Sequence, residues 1–283
     1  MQRSAPGAEG LERSCGRAGA DWLRAAPPAP GIERIEAYFR GRAYAPHRHD
    51  TYAIGYTMAG VQCFDYGGGA RESLPGQIVA LHPDERHDGR AGTDAGFHYR
   101  MLYVEPVLLA AALGGRAIPF VRGGVSTDPR LRRAVQRALE DFADPVEELR
   151  RTELLDALAR ALVAVTGGAE PARPALDLPA LSRARAVLST PRGRAPGNGA
   201  LERASGLDRW SLARQFRAAY GTSPYRYFVM RRLERTRALI RAGMPLAEAA
   251  LAAGFADQSH MTRQFTLAYG LPPGRWAALA AAA

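Results

Sequence analysis

Residues 204–224 read ASGLDRWSLARQFRAAYGTSP, and residues 252–273 read AAGFADQSHMTRQFTLAYGLPP. When the first segment is shifted by 49 positions, eight positions from its aspartate onward carry the same residue in both segments. The eight pairs are Asp208 and Asp257, Arg214 and Arg263, Gln215 and Gln264, Phe216 and Phe265, Ala219 and Ala268, Tyr220 and Tyr269, Gly221 and Gly270, and Pro224 and Pro273. Similarity of this length at a fixed offset indicates a duplicated structural unit.

Each copy is predicted to fold as a helix, a turn and a second helix. The first helices are expected at about residues 198–205 and 246–253. Gly206 and Gly254 follow them, where the positive φ that ends a helix is easiest for glycine.

The second helices are predicted to begin just after Asp208 and Asp257, whose carboxylates can cap free backbone N–H groups. Gly221 and Gly270 are expected to end these helices, with a proline three residues beyond each glycine. The residues expected to face inward are four positions apart: Leu212 with Phe216, and Met261 with Phe265.

The outward faces of the two second helices form the candidate DNA-binding surface. In a helix-turn-helix, the second helix enters the major groove and contacts bases with its N-terminal residues. The predicted DNA-binding residues are Arg209, Trp210, Ala213 and Arg214 in the first copy, and Gln258, Ser259, Thr262 and Arg263 in the second. Arginine can pair bidentately with guanine and glutamine with adenine. The alternative for Arg214 and Arg263 is contact with phosphate or with the protein itself.

Residues 224–241, PYRYFVMRRLERTRALIR, are predicted to form one continuous helix between the copies. The basic face of this helix, with Arg231, Arg235 and Arg241, is predicted to be a solvated surface. If both second helices dock on one face of DNA, they should lie about 34 Å apart, which is one helical turn.

The net charge of +10 is concentrated in the C-terminal part of the chain. Residues 177–283 contain 16 arginines against 6 acidic residues, whereas residues 1–176 have equal numbers of both, and the chain has no lysine. Clustered cations gain binding energy from phosphates by releasing counterions, so this asymmetry favours a polyanionic partner for the C-terminal part. The alternative is an arginine-rich composition and a solvated surface, which does not explain the asymmetry.

The segments GTSPYRYFVMRRLERTRALI and AAGFADQSHMTRQFTLAYGLPPGRW resemble the C-terminal DNA-binding domain of the AraC/XylS family of bacterial transcription regulators. The resemblance covers about residues 178–276. It implies a domain that binds two adjacent major grooves, and it places four residues at positions the family uses for DNA contact: Trp210, Arg214, Gln258 and Arg263. One departure is the Gly- and Pro-rich stretch RGRAPGNGALERA, which predicts a short or frayed first helix.

The N-terminal half has a different pattern. From Ile32 to about Pro106, short aromatic and β-branched runs alternate with turn clusters, which is typical of an antiparallel sandwich or barrel. Two amphipathic helices follow over residues 128–165, with Asp128 as a plausible cap and Pro129 as the first helical residue. They either pack on the sheet or pair with a second subunit.

The predicted fold is α+β with two domains. The first is an antiparallel β-barrel with two following helices, and it is cupin-like because HRH at 47–49 and LPGQIVALHPDERH resemble cupin motifs. The second is an all-α domain with two helix-turn-helix units joined by a long helix. The expected boundaries are a disordered arm (1–30), a cupin-like effector-sensing and dimerisation domain (31–166), a linker (167–177) and the double helix-turn-helix domain (178–283).

The HRH sequence at 47–49 and LPGQIVALHPDERH, which ends at His87, resemble the two short motifs of cupin-type barrels. That resemblance implies an effector sensor and a convergence of His47, His49 and His87. Ala53 stands where metal-binding cupins have a carboxylate, so these histidines are expected to line a ligand pocket, with neither a metal nor another cofactor. The full predicted effector-binding set is His47, His49, Tyr52, His87 and Tyr103.

The predicted function is a sequence-specific transcriptional regulator, not an enzyme, that is controlled by a small-molecule effector. Its expected partners are double-stranded DNA, the effector, RNA polymerase and a second copy of the chain. Two alternatives remain: a cupin-type metal-dependent enzyme fused to a DNA-binding domain, and an architectural protein that binds DNA without sequence preference.

The chain has no run of about 18 apolar residues, the length that a membrane-spanning helix requires. Its two cysteines, Cys15 and Cys63, lack metal or redox spacing, which favours a cytoplasmic protein.

Overall fold

The structure is a computed structural model that describes residues 21–167, 176–189 and 195–281. The strands in these ranges are β1 Trp22–Ala25, β2 Ile32–Phe39, β3 Arg42–His47, β4 Tyr52–Gly60, β5 Gln62–Tyr66, β6 Gly69–Ser73, β7 Ile78–Leu81, β8 His87–Ala91, β9 Phe97–Val104 and β10 Val125–Ser126. The helices are α1 Pro106–Ala112, α2 Pro129–Leu139, α3 Glu148–Val165, α4 Leu178–Leu188, α5 Asn198–Ser205, α6 Arg209–Tyr220, α7 Pro224–Arg241, α8 Leu246–Ala252, α9 Gln258–Tyr269 and α10 Pro273–Ala281.

The strands form two antiparallel sheets, in the orders β1-β2-β9-β4-β7-β10 and β3-β8-β5-β6. Both faces of the larger sheet are covered. Successive side chains of a strand point to opposite faces of the sheet, so neighbouring apolar residues on one strand are buried on different sides. On β4, Tyr52 and Ile54 pack with helices α1–α3, whereas Ala53 between them faces the core that the two sheets share. The predicted α+β architecture, with an antiparallel N-terminal half, is confirmed.

Helices α2 and α3 pack against each other, and α2 also packs on the larger sheet. Asp128 caps α2 by accepting a hydrogen bond from the Arg130 backbone N–H, and Pro129 is the first helical residue, as predicted. The buried face of α3 includes Leu155, Leu158 and Leu162, whereas Leu149 in its first turn is 74% exposed.

The C-terminal domain, residues 176–281, contains the two predicted helix-turn-helix units, α5–α6 and α8–α9, joined by α7. Each second helix has the predicted aspartate as N-cap and ends at a left-handed glycine, Gly221 with φ of 71° and Gly270 with φ of 68°. Helix α5 spans the expected residues despite the Gly- and Pro-rich stretch before it, because Leu201 buries its apolar side.

The prediction of a disordered arm over residues 1–30 is wrong for its last part. Trp22–Ala25 forms strand β1, which pairs antiparallel with β2, and Leu23 is buried in the shared core. The edge of β2, helix α10 and the ion pair of Arg24 with Glu36 at 2.7 Å all contact this short strand, so tertiary contacts order it in an Ala- and Pro-rich context. The rest of the arm prediction, over residues 1–20, lies outside the described residues, as does most of the predicted linker.

The prediction of a solvated basic face on α7 is also wrong in part, because the two domains are docked through that face. Arg231 Nη2 donates to Asp50 Oδ2 at 2.8 Å, and the Arg231 side chain is only 12% exposed. Arg241 lies 3.8 Å from Glu33 and is about half exposed. Two of the three arginines that the sequence assigned to solvent, Arg231 and Arg241, are thus partners for acidic residues of the N-terminal domain.

None of the helices described here combines the length and the hydropathy that crossing a membrane requires.

Candidate DNA-binding surface and effector pocket

The N-terminal ends of α6 and α9 are held by their capping aspartates. Asp208 Oδ1 accepts hydrogen bonds from the backbone N–H groups of Trp210 and Ser211 at 3.0 and 3.1 Å. Asp257 accepts one from His260 at 2.6 Å. These caps fix where each helix begins, and therefore which side chains its first two turns present.

Seven of the eight predicted DNA-binding residues are exposed and Thr262 is half-buried; the exposed ones are Arg209, Trp210, Ala213, Arg214, Gln258, Ser259 and Arg263. Trp210 has 72% of its surface accessible. The opposite faces are buried, with Leu212 and Phe216 in one copy and Met261 and Phe265 in the other, as predicted.

Two of the exposed arginines also contact their own domain. Arg209 Nε lies 3.2 Å from Glu202 Oε1, and Arg214 Nη2 donates to Ser211 Oγ at 3.1 Å. Both contacts are at the protein surface, where such pairs contribute little to stability. Either guanidinium can therefore exchange its contact for one with a nucleic acid.

The C-terminal ends of the same two helices contact the N-terminal domain. A Cβ on Gly221 would lie 2.2 Å from Pro83 Cβ, and one on Gly270 would lie 2.7 Å from His47 Nδ1. Backbone hydrogen bonds from Ala45 N to the Gly270 carbonyl and from Arg48 N to the Leu267 carbonyl, at 2.9 and 3.1 Å, join β3 to α9. The duplicated glycines are thus contact points between domains as well as helix ends.

A cavity of about 450 Å³ lies between the two domains. Its apolar wall comes from both sides, with Ile35, Ala53 and Met101 from the sheets and Leu271 and Trp276 from the C-terminal domain. This volume is within the range of small-molecule sites.

Several charged residues of the cavity form ion pairs across the boundary between the domains. Arg237 binds Glu33, with Nη1 at 3.0 Å from Oε2, and its guanidinium lies 5.0 and 5.1 Å from the ring centres of Tyr269 and Trp276. Burial alone would raise the pKa of Glu33, but Arg237 and then Arg241 outweigh it and hold the pKa below 4.5.

Sequence reasoning missed these ion pairs. The available signal was the spacing of Arg231, Glu234, Arg237 and Arg241 along one stripe of α7. A charged stripe on a helix has the same pattern whether it faces water or a second domain, so the sequence did not separate the two cases.

His47, His49 and His87 converge at the cavity, as predicted. All three are buried, and the ring centres of His47 and His87 lie 4.2 Å apart, with those of His49 and His87 at 4.8 Å. Burial lowers the pKa of His49 to about 3 and that of His87 to about 4, and it lowers the pKa of His47 well below 6.5. The three imidazoles are therefore neutral at neutral pH.

The two tyrosines of the predicted effector-binding set lie on different faces of the larger sheet. Tyr103 lines the cavity, with its ring centre 5.4 Å from that of His49. Tyr52 packs among helices α1–α3 instead, and its hydroxyl donates to the Pro119 carbonyl at 3.0 Å. Alternation along β4 explains this placement, because Tyr52 and Ala53 point to opposite faces.

Comparisons with known proteins agree with this architecture. Residues 29–159 match the family described as AraC-like ligand binding domain, and residues 201–278 match a helix-turn-helix domain family. A relative is the HTH-type transcriptional regulator YbfI of Bacillus subtilis, which is 26% identical over 241 residues, or 80% of this chain and 86% of that protein.

Solved structures of ToxT from Vibrio cholerae share the two-domain fold. One at 1.65 Å resolution has a TM-score of 0.63 and 11% sequence identity, over 88% of this chain and 99% of ToxT. Another, with an unsaturated fatty acid bound, has a TM-score of 0.61 and 10% identity, over 93% of this chain and 95% of ToxT.

Proposed function

Since the chain is an AraC-type DNA-binding transcriptional regulator with an N-terminal ligand-binding domain, we propose that it binds two adjacent major grooves with α6 and α9 under the control of a small molecule bound between its domains. The proposed DNA-binding residues are the eight predicted from the sequence, Arg209, Trp210, Ala213, Arg214, Gln258, Ser259, Thr262 and Arg263.

One observation carries this proposal: both second helices expose their N-terminal side chains while their C-terminal ends are docked. Gly221 and Gly270 lie against the N-terminal domain, yet Arg214 and Arg263 remain exposed. The docked arrangement can therefore present both helices to DNA. A ligand that changes the docking would change how the two helices are held relative to each other.

The proposed effector site is the cavity between the domains. The ToxT structure with a bound unsaturated fatty acid supports a small organic ligand for this fold. In this chain, the cavity combines an apolar wall with Arg237 and Arg241, which suits a molecule with an apolar body and an acidic group. Such a group would compete with Glu33 for the two arginines and so link ligand binding to domain docking.

We further propose that the regulator is a cytoplasmic homodimer that contacts RNA polymerase. The support for a dimer is Leu149, an exposed leucine on α3. The enzyme alternative is not favoured, since the acidic residue that would complete a cupin-type ligand set is replaced by Ala53, which is fully buried.

The test of DNA binding is selection of genomic fragments with the full-length, untagged protein, followed by affinity measurements against salt. We expect one motif with two boxes about one helical turn apart. Replacing Arg263→Ala should weaken binding to that motif by about 1–3 kcal/mol and relax the preference at one base pair.

The matched control is Arg160→Ala, which removes an equal charge from the exposed face of α3, where the arginine pairs with Asp156. It should leave the affinity unchanged. Equal binding to all fragments, with a steep salt dependence alone, would exclude the sequence-specific proposal and favour the architectural alternative.

A further inference from the structure

His47, His49 and His87 form a cluster that DNA binding does not use. One ring nitrogen from each lies within 4.8 Å of the other two. His47 and His87 are cross-strand partners on β3 and β8, and His49 follows β3 by two residues. Two paired strands therefore hold the rings of His47 and His87, and His49 lies two residues beyond the end of β3. Paired strands are a more rigid support than loops.

The hydrogen bonds of these rings fix which nitrogen carries the proton. Nδ1 of His47, His49 and His87 lies 2.9 Å from the backbone oxygens of Ala45, Thr51 and Glu85, respectively. A carbonyl oxygen only accepts, so each Nδ1 must be the protonated nitrogen of a neutral ring. Each Nε2 then keeps a lone pair, as in metal-binding histidines whose other nitrogen donates to a backbone carbonyl.

The nature and spacing of the donors select the kind of ion. Three neutral imidazoles suit zinc, copper, nickel or cobalt and are poor ligands for magnesium or calcium. A tetrahedral ion with Zn–N distances of 2.0–2.1 Å would hold its nitrogens about 3.3 Å apart, so the three ligand nitrogens, which lie within 4.8 Å of one another, would move closer together to complete the site.

We propose that His47, His49 and His87 bind one divalent transition-metal ion of the zinc type through Nε2, with the remaining coordination position open to the cavity between the domains. Neither of two nearby residues offers a free carboxylate for that position. Ala53 supplies no donor, and Asp50 is already bound to Arg231 at 2.8 Å. The open position can take water or an oxygen or nitrogen donor of a small molecule.

The site would also stabilise the surface that receives α9. His47 is the last residue of β3, and its Nδ1 faces Gly270 at the end of α9. Ala45, whose carbonyl accepts from His47 Nδ1, also donates its backbone N–H to the Gly270 carbonyl. A bound ion would therefore hold the end of β3 in the geometry of the docked state, and it would raise the stability of that state by mass action.

The test uses untagged full-length protein that is stripped with a chelator, dialysed and loaded with Zn²⁺ or Co²⁺. We expect one metal ion per chain and the intense visible absorption of four-coordinate cobalt. A six-coordinate cobalt spectrum, or less than about a tenth of an equivalent of zinc after dialysis, would overturn the proposal. A thiolate-to-cobalt charge-transfer band would move the metal to a cysteine and would also overturn it.

Variants assign the ligands. His49→Gln and His87→Gln should each lose the bound equivalent, whereas His82→Gln, a histidine of the same domain outside the cluster, should retain it. Circular dichroism shows whether each variant is folded. If a variant is not folded, the cobalt spectrum of the wild type decides the coordination. Full metal binding by both cluster variants, or equal loss in His82→Gln, would contradict the assignment. These measurements need no DNA, so their outcome is separate from that of the proposed function.

Discussion

Arg237 and Glu33 form a two-pronged ion pair across the boundary between the domains, with both carboxylate oxygens accepting from the guanidinium. Arg237 is on α7 of the C-terminal domain and Glu33 is on β2 of the sheet. The rings of Tyr269 and Trp276 enclose the guanidinium at about equal distances, 5.0 and 5.1 Å from their centres. Because both residues line the cavity, a ligand bound there would lie against this contact between the domains.

Removing the carboxylate should destabilise the docked protein. Glu33→Gln leaves the Arg237 guanidinium largely buried without its counter-charge, and we expect a loss of about 2 kcal/mol in the free energy of unfolding. Urea denaturation of the full chain measures it. The double variant Glu33→Gln/Arg237→Gln should recover part of the loss, because no unpaired charge remains.

The matched control for this prediction is Asp156→Asn, which breaks the exposed pair with Arg160 on α3. That change should alter the free energy of unfolding by less than about 0.5 kcal/mol. Equal effects of Glu33→Gln and Asp156→Asn would mean that the pair between the domains contributes no more than a surface contact.

The same pair predicts a pH dependence. The pKa of Glu33 in the folded protein is below its ordinary value of 4.5. A carboxyl group with a lowered pKa contributes stability that is fully present above 4.5 and is lost as the pH falls through the lower, folded-state value. The stability difference between wild type and Glu33→Gln should therefore shrink as urea titrations go from about pH 6 to about pH 3.5. A constant difference would show that the Glu33 charge is not coupled to folding.

The duplicated helix-turn-helix units could be predicted from the sequence because their signals are local. Asp208 and Asp257 cap the second helices, and Gly221 and Gly270 end them. Apolar residues four positions apart determine which face of each helix is buried, and none of these signals depends on the rest of the protein. The convergence of the three histidines followed from short motifs that resemble cupins.

The docking of the domains could not be predicted in the same way. Arg231 and Arg237 meet Asp50 and Glu33 at sequence separations of 181 and 204 residues, and no local pattern records such a pair. Strand β1 was missed for a related reason. Its four residues are ordered by an edge of β2, which the composition of the arm does not reveal.

Trp210 should matter for DNA binding and not for folding. Because its side chain is 72% exposed, Trp210→Ala should change the free energy of unfolding by less than about 0.5 kcal/mol. The same variant should weaken binding to the selected DNA motif by about 1–3 kcal/mol, in proportion to the contacts that the indole makes there. Trp276→Ala is the contrast, since Trp276 is buried and its loss should cost about 3–5 kcal/mol of stability. Unchanged DNA affinity of Trp210→Ala would remove Trp210 from the proposed surface.

Each capping aspartate should contribute about 1 kcal/mol to the free energy of unfolding. Asp257→Ala removes the acceptor for the His260 backbone N–H, and Asp208→Ala removes the acceptor for two such groups. Urea denaturation of each variant should show that loss, while Asp94→Ala, in an exposed turn whose backbone carbonyl makes the contact with Arg40, should be neutral. Neutral behaviour of both capping variants would indicate that the helix ends are held by packing alone.

Alanine substitutions at helix-ending glycines distinguish the cost of backbone strain from the cost of a lost contact between the domains. Gly206, Gly221 and Gly270 all end helices at positive φ, of 78°, 71° and 68°. An alanine at any of them incurs the left-handed backbone cost of about 1–2 kcal/mol. Around Gly206 a Cβ would meet nothing within 4 Å, whereas at Gly270 it would meet His47 Nδ1 at 2.7 Å and the Ala45 carbonyl oxygen at 2.9 Å.

Gly270→Ala should therefore destabilise the full chain more than Gly206→Ala does, because Ala45 belongs to a paired strand and its backbone cannot move freely. The excess over Gly206→Ala measures the docking contact itself, since the two glycines have similar backbone angles, with φ of 78° and 68°. We expect that excess to be about 1–3 kcal/mol, the usual cost of overpacking. Equal losses in the two variants would mean that α9 leaves β3 in solution, and the cavity between the domains would then be open before any ligand binds.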